Sequence, residues 1–341
     1  MKTTKFAVIG LGIWGERHVM TYLDHPYAEV VAICDRNAKA LKAIGSKYRI
    51  KRRFTNHKEM LSARDLEIDA VSVVTPDFAH TQVAVDAIKS GRHVLIEKPL
   101  ATTLQDCDKI GKALKTSRVK FMVDFHNRWN PAMVKFKSAI SKGELGQVQM
   151  AHYRLHDNIA VPLEWLSWAG RSTVNWFLAS HCLDTLMWLL DDKVAEVYTV
   201  KRSRVLKRMG VNTPDFYQSI LQFRKGASAV LENCWILARS HALIDLKVAV
   251  VGDKGTLAFD GRPHVVEQYS ESKVEWPDVI VCPDVHGHLR GFGVDSIHAF
   301  ADCVIQDKKP LCGFAEGREV TKVILAMEKS ADTGRPVKLS R

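Results

Sequence analysis

Three glycines near the start of the sequence have the spacing of a phosphate-binding turn. Gly10, Gly12 and Gly15 follow an apolar, strand-like run and precede a helix-like stretch. The first glycine permits a tight turn, the second lets backbone N–H groups approach a pyrophosphate, and the third lets the helix pack closely on the strand. The next apolar run ends in Asp35, twenty residues after Gly15. This pattern predicts a nicotinamide dinucleotide site, with the pyrophosphate at the helix N-terminus.

The residues that end the second strand bear on the choice between NAD and NADP. A carboxylate at Asp35 favours the two ribose hydroxyls of NAD and repels the 2′-phosphate of NADP, whereas Arg36 could accept that phosphate. We therefore expect NAD and leave NADP open. The residues expected to contact the cofactor in this region are Gly10, Gly12, Ile13, Trp14, Gly15, Asp35 and Arg36.

The first 125 residues alternate strand-like and helix-like segments, which predicts an α/β domain with a doubly wound parallel sheet. Polar motifs follow the predicted strands at Thr75-Pro76, at Glu97-Lys98-Pro99 and at His126-Asn127-Arg128. Ligands of open α/β sheets bind at the carboxyl ends of the strands, so these motifs should converge on one crevice. The strands are predicted at Phe6–Ile9, Val30–Cys34, Ala70–Val74, His93–Ile96 and Lys120–Asp124.

From about residue 145 the pattern changes to longer β-type runs, several of which alternate apolar with polar residues. Such alternation is typical of an antiparallel sheet with one covered face. The alternation of strand-like and helix-like segments ends near residue 124, and we place the domain boundary there. One domain is predicted over residues 1–124 and another over 125–341. The C-terminal helices have the option of packing back on the first domain. The second domain is thus predicted to be an α+β domain with an open, mostly antiparallel sheet.

Composition argues against several other classes of protein. The net charge is +11, but the basic patches Lys51–Arg53 and Lys201–Arg204 lack interleaved aromatics and any nucleic-acid motif. No apolar stretch reaches the ~18 residues of a membrane span. Seven cysteines without a C-x-x-C pair indicate reduced thiols. We expect a cytoplasmic protein with neither a nucleic-acid nor a membrane partner.

A second candidate site is a loop in which Asp284, His286 and His288 alternate. These residue types are able to ligate a metal. No fourth ligand is spaced to complete a site, so we expect a surface loop or a lid and no bound metal.

Several motifs together resemble the Gfo/Idh/MocA family (glucose-fructose oxidoreductase, inositol dehydrogenase and rhizopine catabolism) over nearly the whole chain. They are the glycine loop with Trp14, Val74–Pro76 with His80, Glu97–Pro99, Arg128–Pro131, Ser180–Asp184, Gly252–Thr256, and a closing helix with Ala326, Ser330 and Gly334. The resemblance implies an NAD(P)-dependent oxidoreductase that moves a hydride between the cofactor and a hydroxyl or ketone of a sugar, polyol or related carbohydrate. It also implies a second domain that binds the substrate and assembles a homodimer or homotetramer through its sheet.

The resemblance assigns roles to individual residues. Lys98 would lie beside the reacting hydroxyl, where its charge favours a developing alkoxide, and a cis bond before Pro99 would turn it into the crevice. His181 would exchange a proton with that hydroxyl, since an imidazole suits this task near neutral pH. Asp184, three residues later on the same helix face, would orient the ring or anchor the helix. Further cofactor contacts are expected from Thr75, Pro76, His80, Glu97, Lys98 and Arg128.

The chain departs from the family pattern just before His181. Phe177 stands where many members have an aspartate that shares the chemistry, and Ala179 stands where a glycine is usual. The missing carboxylate removes one proton acceptor and one ligand of a substrate hydroxyl. Asn175, Arg171 and Trp168 are candidate substrate contacts in its place, beside Lys98 and His181. Two alternatives stay open: a redox-neutral sugar-modifying enzyme (lyase- or glycosidase-like) with tightly bound NAD, and a non-catalytic NAD-dependent sugar sensor.

Overall fold

The computed structural model describes residues 3–261, 266–270 and 274–340. The chain forms two compact units, and the last of the three divisions between them falls inside a long helix. The first unit comprises Met1–His126 and Val281–Arg318, and the second comprises Asn127–Ile280 and Glu319–Arg341.

The first unit contains a six-stranded sheet in which every neighbouring pair of strands is parallel. The strand order is β3-β2-β1-β4-β5-β6, which confirms the predicted doubly wound sheet. The elements are β1 Thr4–Ile9, α1 Ile13–Asp24, β2 Ala28–Cys34, α2 Ala38–Lys47, β3 Arg53–Phe54, α3 His57–Ser62, β4 Ala70–Val73, α4 His80–Lys89, β5 His93–Glu97, α5 Leu104–Lys115 and β6 Phe121–Asp124.

Strands of this sheet are buried even at its β6 edge, because helices cover both faces. All four residues of β4 and all four of β6 are buried, as their continuous apolar runs predict. The strand order reverses between β1 and β4. The loops that follow these two strands therefore diverge and leave a crevice at the carboxyl edge of the sheet.

The second unit contains a seven-stranded sheet of order β12-β11-β7-β10-β9-β8-β17. Its pairs are antiparallel except for the parallel pair of β10 and β7, which confirms the open, mostly antiparallel sheet. The elements up to β14 are α6 Pro131–Ser141, β7 Val148–Asn158, α7 Ser180–Leu190, β8 Val194–Arg202, α8 Val205–Arg208, β9 Phe216–Phe223, β10 Ser228–Leu237, β11 Ile244–Gly252, β12 Thr256–Asp260, β13 Gln268–Tyr269 and β14 Val274–Glu275.

The chain then returns to the first unit. Here Phe300 lies with its ring 6.4 Å from the ring of Phe6, and the Cys312 thiol donates to the Val123 carbonyl over 3.2 Å. Both contacts lie within the first unit. The remaining elements are β15 Asp284–Val285, β16 His288–Leu289, α9 Phe292–Ile305, α10 Phe314–Thr333 and β17 Val337–Lys338.

The two faces of the seven-stranded sheet differ in burial. Alternate residues of its strands, such as Tyr153, Leu221 and Leu231, are buried in the core of the second unit. The residues between them point to the other face, which exposes an apolar row. Tyr198 lies opposite Ile220, and Ile220 lies opposite Val230, and all three side chains are exposed.

No helix in the part of the chain that the structure describes is long and apolar enough to cross a membrane. All seven cysteines lie in that part and are unbridged.

Candidate cofactor and substrate site

The glycine loop after β1 is closely packed at Gly10 and Gly15 and open at Gly12. Gly10 has φ +97°, and a Cβ there would lie 2.4 Å from the Val74 carbonyl oxygen. A Cβ on Gly15 would lie 1.9 Å from the Gly10 oxygen, whereas a Cβ on Gly12 would meet nothing within 4 Å. The fold thus requires glycine at Gly10 and Gly15. The open space at Gly12 fits the close approach of a pyrophosphate.

Asp35 is fixed beside this loop by backbone donors. Its Oδ2 accepts a hydrogen bond from the Leu11 N–H over 2.6 Å, and its Oδ1 accepts one from the Asn37 N–H over 2.7 Å. Arg36 is exposed next to it. The carboxylate at the end of β2 therefore sits where it favours a ribose diol over a 2′-phosphate, so the residues of this loop fit NAD.

An aromatic platform adjoins the glycine loop. The Trp14 ring stacks on His126 with centroids 5.3 Å apart, and the Arg17 guanidinium lies 4.6 Å from the Trp14 centroid. Burial lowers the pKa of His126 to about 4, and the cations of Lys98 and Arg17 act in the same direction. His126 is consequently neutral at physiological pH. Ile13, also a predicted cofactor contact, is exposed at the start of α1.

His80 links the loops that follow β4 and β5. Its Nε2 lies 2.8 Å from the Thr75 carbonyl oxygen, and its Nδ1 lies 2.8 Å from the Pro99 oxygen. Burial lowers the pKa of His80, while Asp77 and the two carbonyls favour the charged form. The ring fixes the Thr75-Pro76 turn against the segment that carries half-buried Lys98.

Lys98 follows the last residue of β5. Its backbone N–H donates to Oε2 of Glu97 over 3.3 Å, and the peptide bond between Lys98 and Pro99 is cis, as expected. The structure therefore brings the glycine loop, Asp35, Thr75, His80 and the Glu97-Lys98 pair to the carboxyl edge of one sheet.

In the second unit, the segment just before His181 forms a π-helix. This wider turn covers Asn175–Ala179, and α7 continues from Ser180. A second π-helix covers Val161–Trp165. Such turns are rare and are frequent at functional sites, so the two mark this part of the second unit. His181 lies in the first turn of α7 and is 7% exposed.

Arg128 and Asp184 form a buried bidentate ion pair. Nε of Arg128 donates to Oδ2 of Asp184 over 2.8 Å, and Nη2 donates to Oδ1 over 2.7 Å. The guanidinium also lies 5.8 Å from the Trp188 ring centroid. Both carboxylate oxygens of Asp184 accept from this one partner, which fits the anchoring role. The predicted contact of Arg128 with the cofactor stays a prediction.

Phe177, which replaces the family aspartate, belongs to an aromatic cluster. Its ring centroid lies 6.2 Å from that of Trp168 and 5.6 Å from that of Trp235. Asn175 is fully buried and its amide donates to Glu328 over 3.4 Å, whereas Arg171 is exposed. Phe177 thus packs against two indole rings where the family aspartate would stand.

Sequence reasoning missed a buried polar cluster beneath the crevice. His18 on α1 places Nε2 3.2 Å from Oε1 of Glu97 and 3.8 Å from Oδ2 of Asp124. Two signals were available in the sequence: Asp124 ends a buried apolar strand, and His18 follows Gly15 by three residues.

The loop with alternating acidic and histidine residues is held by α1. His288 and Arg290 both pair with Asp24, and Asp284 accepts the Gly287 N–H over 2.9 Å. Two of the three candidate metal ligands, Asp284 and His288, thus have protein partners. The loop lies on the surface and is attached to α1 through Asp24.

Comparison with known proteins agrees with this geometry. A family model for an oxidoreductase family with an NAD-binding Rossmann fold matches residues 4–125, and a GFO/IDH/MocA C-terminal domain matches residues 133–258. An inositol 2-dehydrogenase of Salmonella typhimurium is 28% identical over 258 residues, covering 74% of this chain and 73% of that protein.

Two solved structures share the fold over their whole length. The myo-inositol 2-dehydrogenase from Lactobacillus plantarum has a TM-score of 0.86 and 21% identity, covering 99% of this chain and 100% of that one. The scyllo-inositol dehydrogenase from Lactobacillus casei with bound NAD(H) and scyllo-inositol has a TM-score of 0.83 and 20% identity, covering 99% of each chain.

The chain is therefore an oxidoreductase with an NAD-binding Rossmann domain, and it belongs to the Gfo/Idh/MocA family. This confirms the resemblance drawn from the motifs and confirms NAD as the cofactor.

The ion pair of Arg128 and Asp184 yields a test of its anchoring role. Asp184→Ala leaves a guanidinium buried without its counter-ion, so we expect the free energy of unfolding to fall by about 3–5 kcal/mol. Asp65→Ala is the control, because it breaks the exposed pair with Arg52 and should leave stability unchanged within error. Denaturant unfolding measures both. Equal stabilities of the two variants would contradict the anchoring role.

Proposed function

We propose that this protein transfers a hydride between NAD and a ring hydroxyl of a cyclic polyol or sugar. The observation that carries the proposal is the arrangement of Gly12, Asp35 and Lys98 at one edge of the parallel sheet, in a chain of this family. The inositol dehydrogenases among its relatives and structural neighbours support a polyol as the substrate.

The proposed chemistry assigns one task to each residue. The chemistry that the bound cofactor would supply is a hydride acceptor, NAD⁺, for oxidation of the alcohol and a hydride donor, NADH, for reduction of the ketone. Lys98 stabilises the negative charge that develops on the substrate oxygen. His181 takes the hydroxyl proton during oxidation and returns it during reduction. Phe177 stands in place of the family aspartate that shares the chemistry. Residue 177 therefore offers no carboxylate to take the hydroxyl proton in place of His181.

The kinetic consequences of these assignments are specific. Lys98→Met and His181→Ala should each lower kcat by roughly 10²–10⁴-fold, and the loss for His181→Ala should be at least as large as for Lys98→Met. The affinity for NAD should change little for His181→Ala. Steady-state nicotinamide absorbance with a panel of inositols and sugars measures this, with Lys89→Met at an exposed site of α4 as the control.

The same assay distinguishes the other functions. Conversion of the sugar with no net change in nicotinamide absorbance would replace the proposal by a redox-neutral enzyme. Binding of a sugar without conversion would indicate a sensor. Turnover of His181→Ala within about threefold of the parent would remove His181 from the mechanism.

We further propose that the exposed face of the seven-stranded sheet is the contact between copies of this chain. The row of Tyr198, Ile220 and Val230 continues to Met150, which is exposed on the neighbouring β7. A contiguous apolar patch on an open sheet face is typical of a protein interface.

Assembly through this face predicts a dimer or tetramer that charges on the sheet disrupt. Ile220→Glu combined with Val230→Glu should dissociate the oligomer, because two carboxylates would be desolvated in the contact. Met209→Glu is the control, since Met209 is as exposed but follows α8 outside the sheet. Light scattering at micromolar concentration gives the mass. A monomeric parent, or an unchanged mass of the double variant, would contradict this interface.

A further inference from the structure

The buried cluster of His18, Glu97 and Asp124 lies inside the first unit and has no role in the proposed hydride transfer. One ligand-type atom from each residue lies within 4.8 Å of those of the other two. The side chains of His18 and Asp124 are fully buried, and that of Glu97 is 10% exposed. Two carboxyl groups in such a place cannot both keep their charge without a proton or a cation between them.

Both ring nitrogens of His18 have hydrogen-bond partners in the first unit. The Tyr22 hydroxyl is buried 2.7 Å from Oγ of Ser72, and Oγ of Ser72 lies 3.0 Å from Nδ1 of His18. Nε2 of His18 lies 3.2 Å from Oε1 of Glu97, so the imidazole links Ser72 to the carboxyl group of Glu97.

The two carboxyl groups of the cluster differ in the donors that reach them. Glu97 receives hydrogen bonds from His18 and from the backbone N–H of Lys98. Within the described residues, no donor meets either oxygen of Asp124 in hydrogen-bond geometry, although Ser296 on α9 faces it. Glu97 is thus the group that the protein supports as an anion, and Asp124 is the group that is better buried as an acid.

The pKa shifts agree with this division of roles. Burial and the neighbouring Glu97 raise the pKa of Asp124 well above its usual value, with Ser296 and Lys98 opposing. Burial also raises the pKa of Glu97, but the hydrogen bond from His18 and the charge of Lys98 oppose it, and that pKa lies below its usual value.

The position of the cluster relates it to the cofactor. Asp35 and the glycine loop assign the adenosine and pyrophosphate to the half of the sheet formed by β1 to β3. The nicotinamide then falls to the half formed by β4 to β6, where Glu97 and Asp124 are the last residues of neighbouring strands. The oxidised nicotinamide ring is a cation and the reduced ring is neutral, so a fixed negative charge there stabilises NAD⁺ more than NADH.

We propose that Asp124 is a positioning residue which, as a neutral carboxylic acid, donates a hydrogen bond to Glu97 and keeps one negative charge under the nicotinamide half of the site. This charge favours NAD⁺ over NADH. The proton that Asp124 holds stays on the protein throughout. The inference rests on the cofactor alone and is independent of the substrate.

The ratio of the dissociation constants for NAD⁺ and NADH tests the charge directly. Glu97→Gln removes the anion, so it should weaken NAD⁺ relative to NADH by about tenfold. Asp124→Asn replaces a neutral acid by a neutral amide of the same shape, so the ratio should stay within about twofold of the parent. A purely structural role would alter both affinities equally. A shift for Asp124→Asn as large as that for Glu97→Gln would overturn the proposal.

The pH dependence of stability tests the proton, even if Glu97→Gln fails to fold. A group whose pKa is raised by folding stabilises the protein fully below its unfolded pKa, about 3.9 for an aspartate, and this contribution is lost as the pH rises through the folded pKa. In the parent, the free energy of unfolding should therefore fall as the pH rises through the folded pKa of Asp124. Asp124→Asn should lack this fall. An unchanged pH dependence would contradict the proposal.

A cation in place of the proton is the competing occupant, because the three side chains are possible ligands of a divalent metal. Elemental analysis of the purified parent protein should show no stoichiometric metal. A divalent ion that is present in the parent and absent from Asp124→Asn would overturn the shared proton and identify a metal site.

Discussion

The close approach of two backbone segments at the first turn is the constraint on which the site depends. A Cβ at Gly15 would penetrate the carbonyl of Gly10, and a Cβ at Gly10 would penetrate the end of β4. The helix α1 can therefore begin directly at the end of β1, with its N-terminus directed at the crevice. Every other feature of the cofactor site, from Asp35 to the segment around Lys98, takes its place relative to this turn.

The same edge of the sheet combines an open anion site with a sealed layer of polar groups below it. At the surface, Gly12 leaves space for a ligand and Asp35 is held by backbone donors. Below, His18, Glu97 and Asp124 form one buried cluster. Hydrogen bonds and charge in such a low-dielectric interior act more strongly than in water, so the charge of this layer is able to influence the cofactor.

The parts of the fold that could be predicted are those that local patterning determines. Continuous apolar runs identified five of the six parallel strands and missed the two-residue β3. Alternation identified the open sheet, and glycine spacing identified the turn. The π-helix at Asn175–Ala179 could not be predicted, because π-helices are rare and the apolar pattern of this segment does not distinguish one from an α-helix.

The pairing of polar side chains also escaped the sequence. Arg128 and Asp184 each resemble functional residues on their own, and only tertiary structure shows that they bind each other. For the same reason Asp124 passed as the polar end of a strand, although its contacts with His18 and Glu97 span three separate elements. Periodicity reports which face is buried, and it carries no information on which buried polar groups meet.

The measurement that tests the central claim most directly is the affinity of a Gly12→Ala variant for NAD. The added methyl group enters open space in the protein and should leave the melting temperature unchanged, yet it occupies the approach of the pyrophosphate. Calorimetric titration should show NAD binding weakened by at least about tenfold, a loss of roughly 1.4 kcal/mol. Gly170→Ala, whose Cβ makes ordinary contact in the second unit, should bind NAD as the parent does. Unchanged affinity in Gly12→Ala would contradict a cofactor site at this turn.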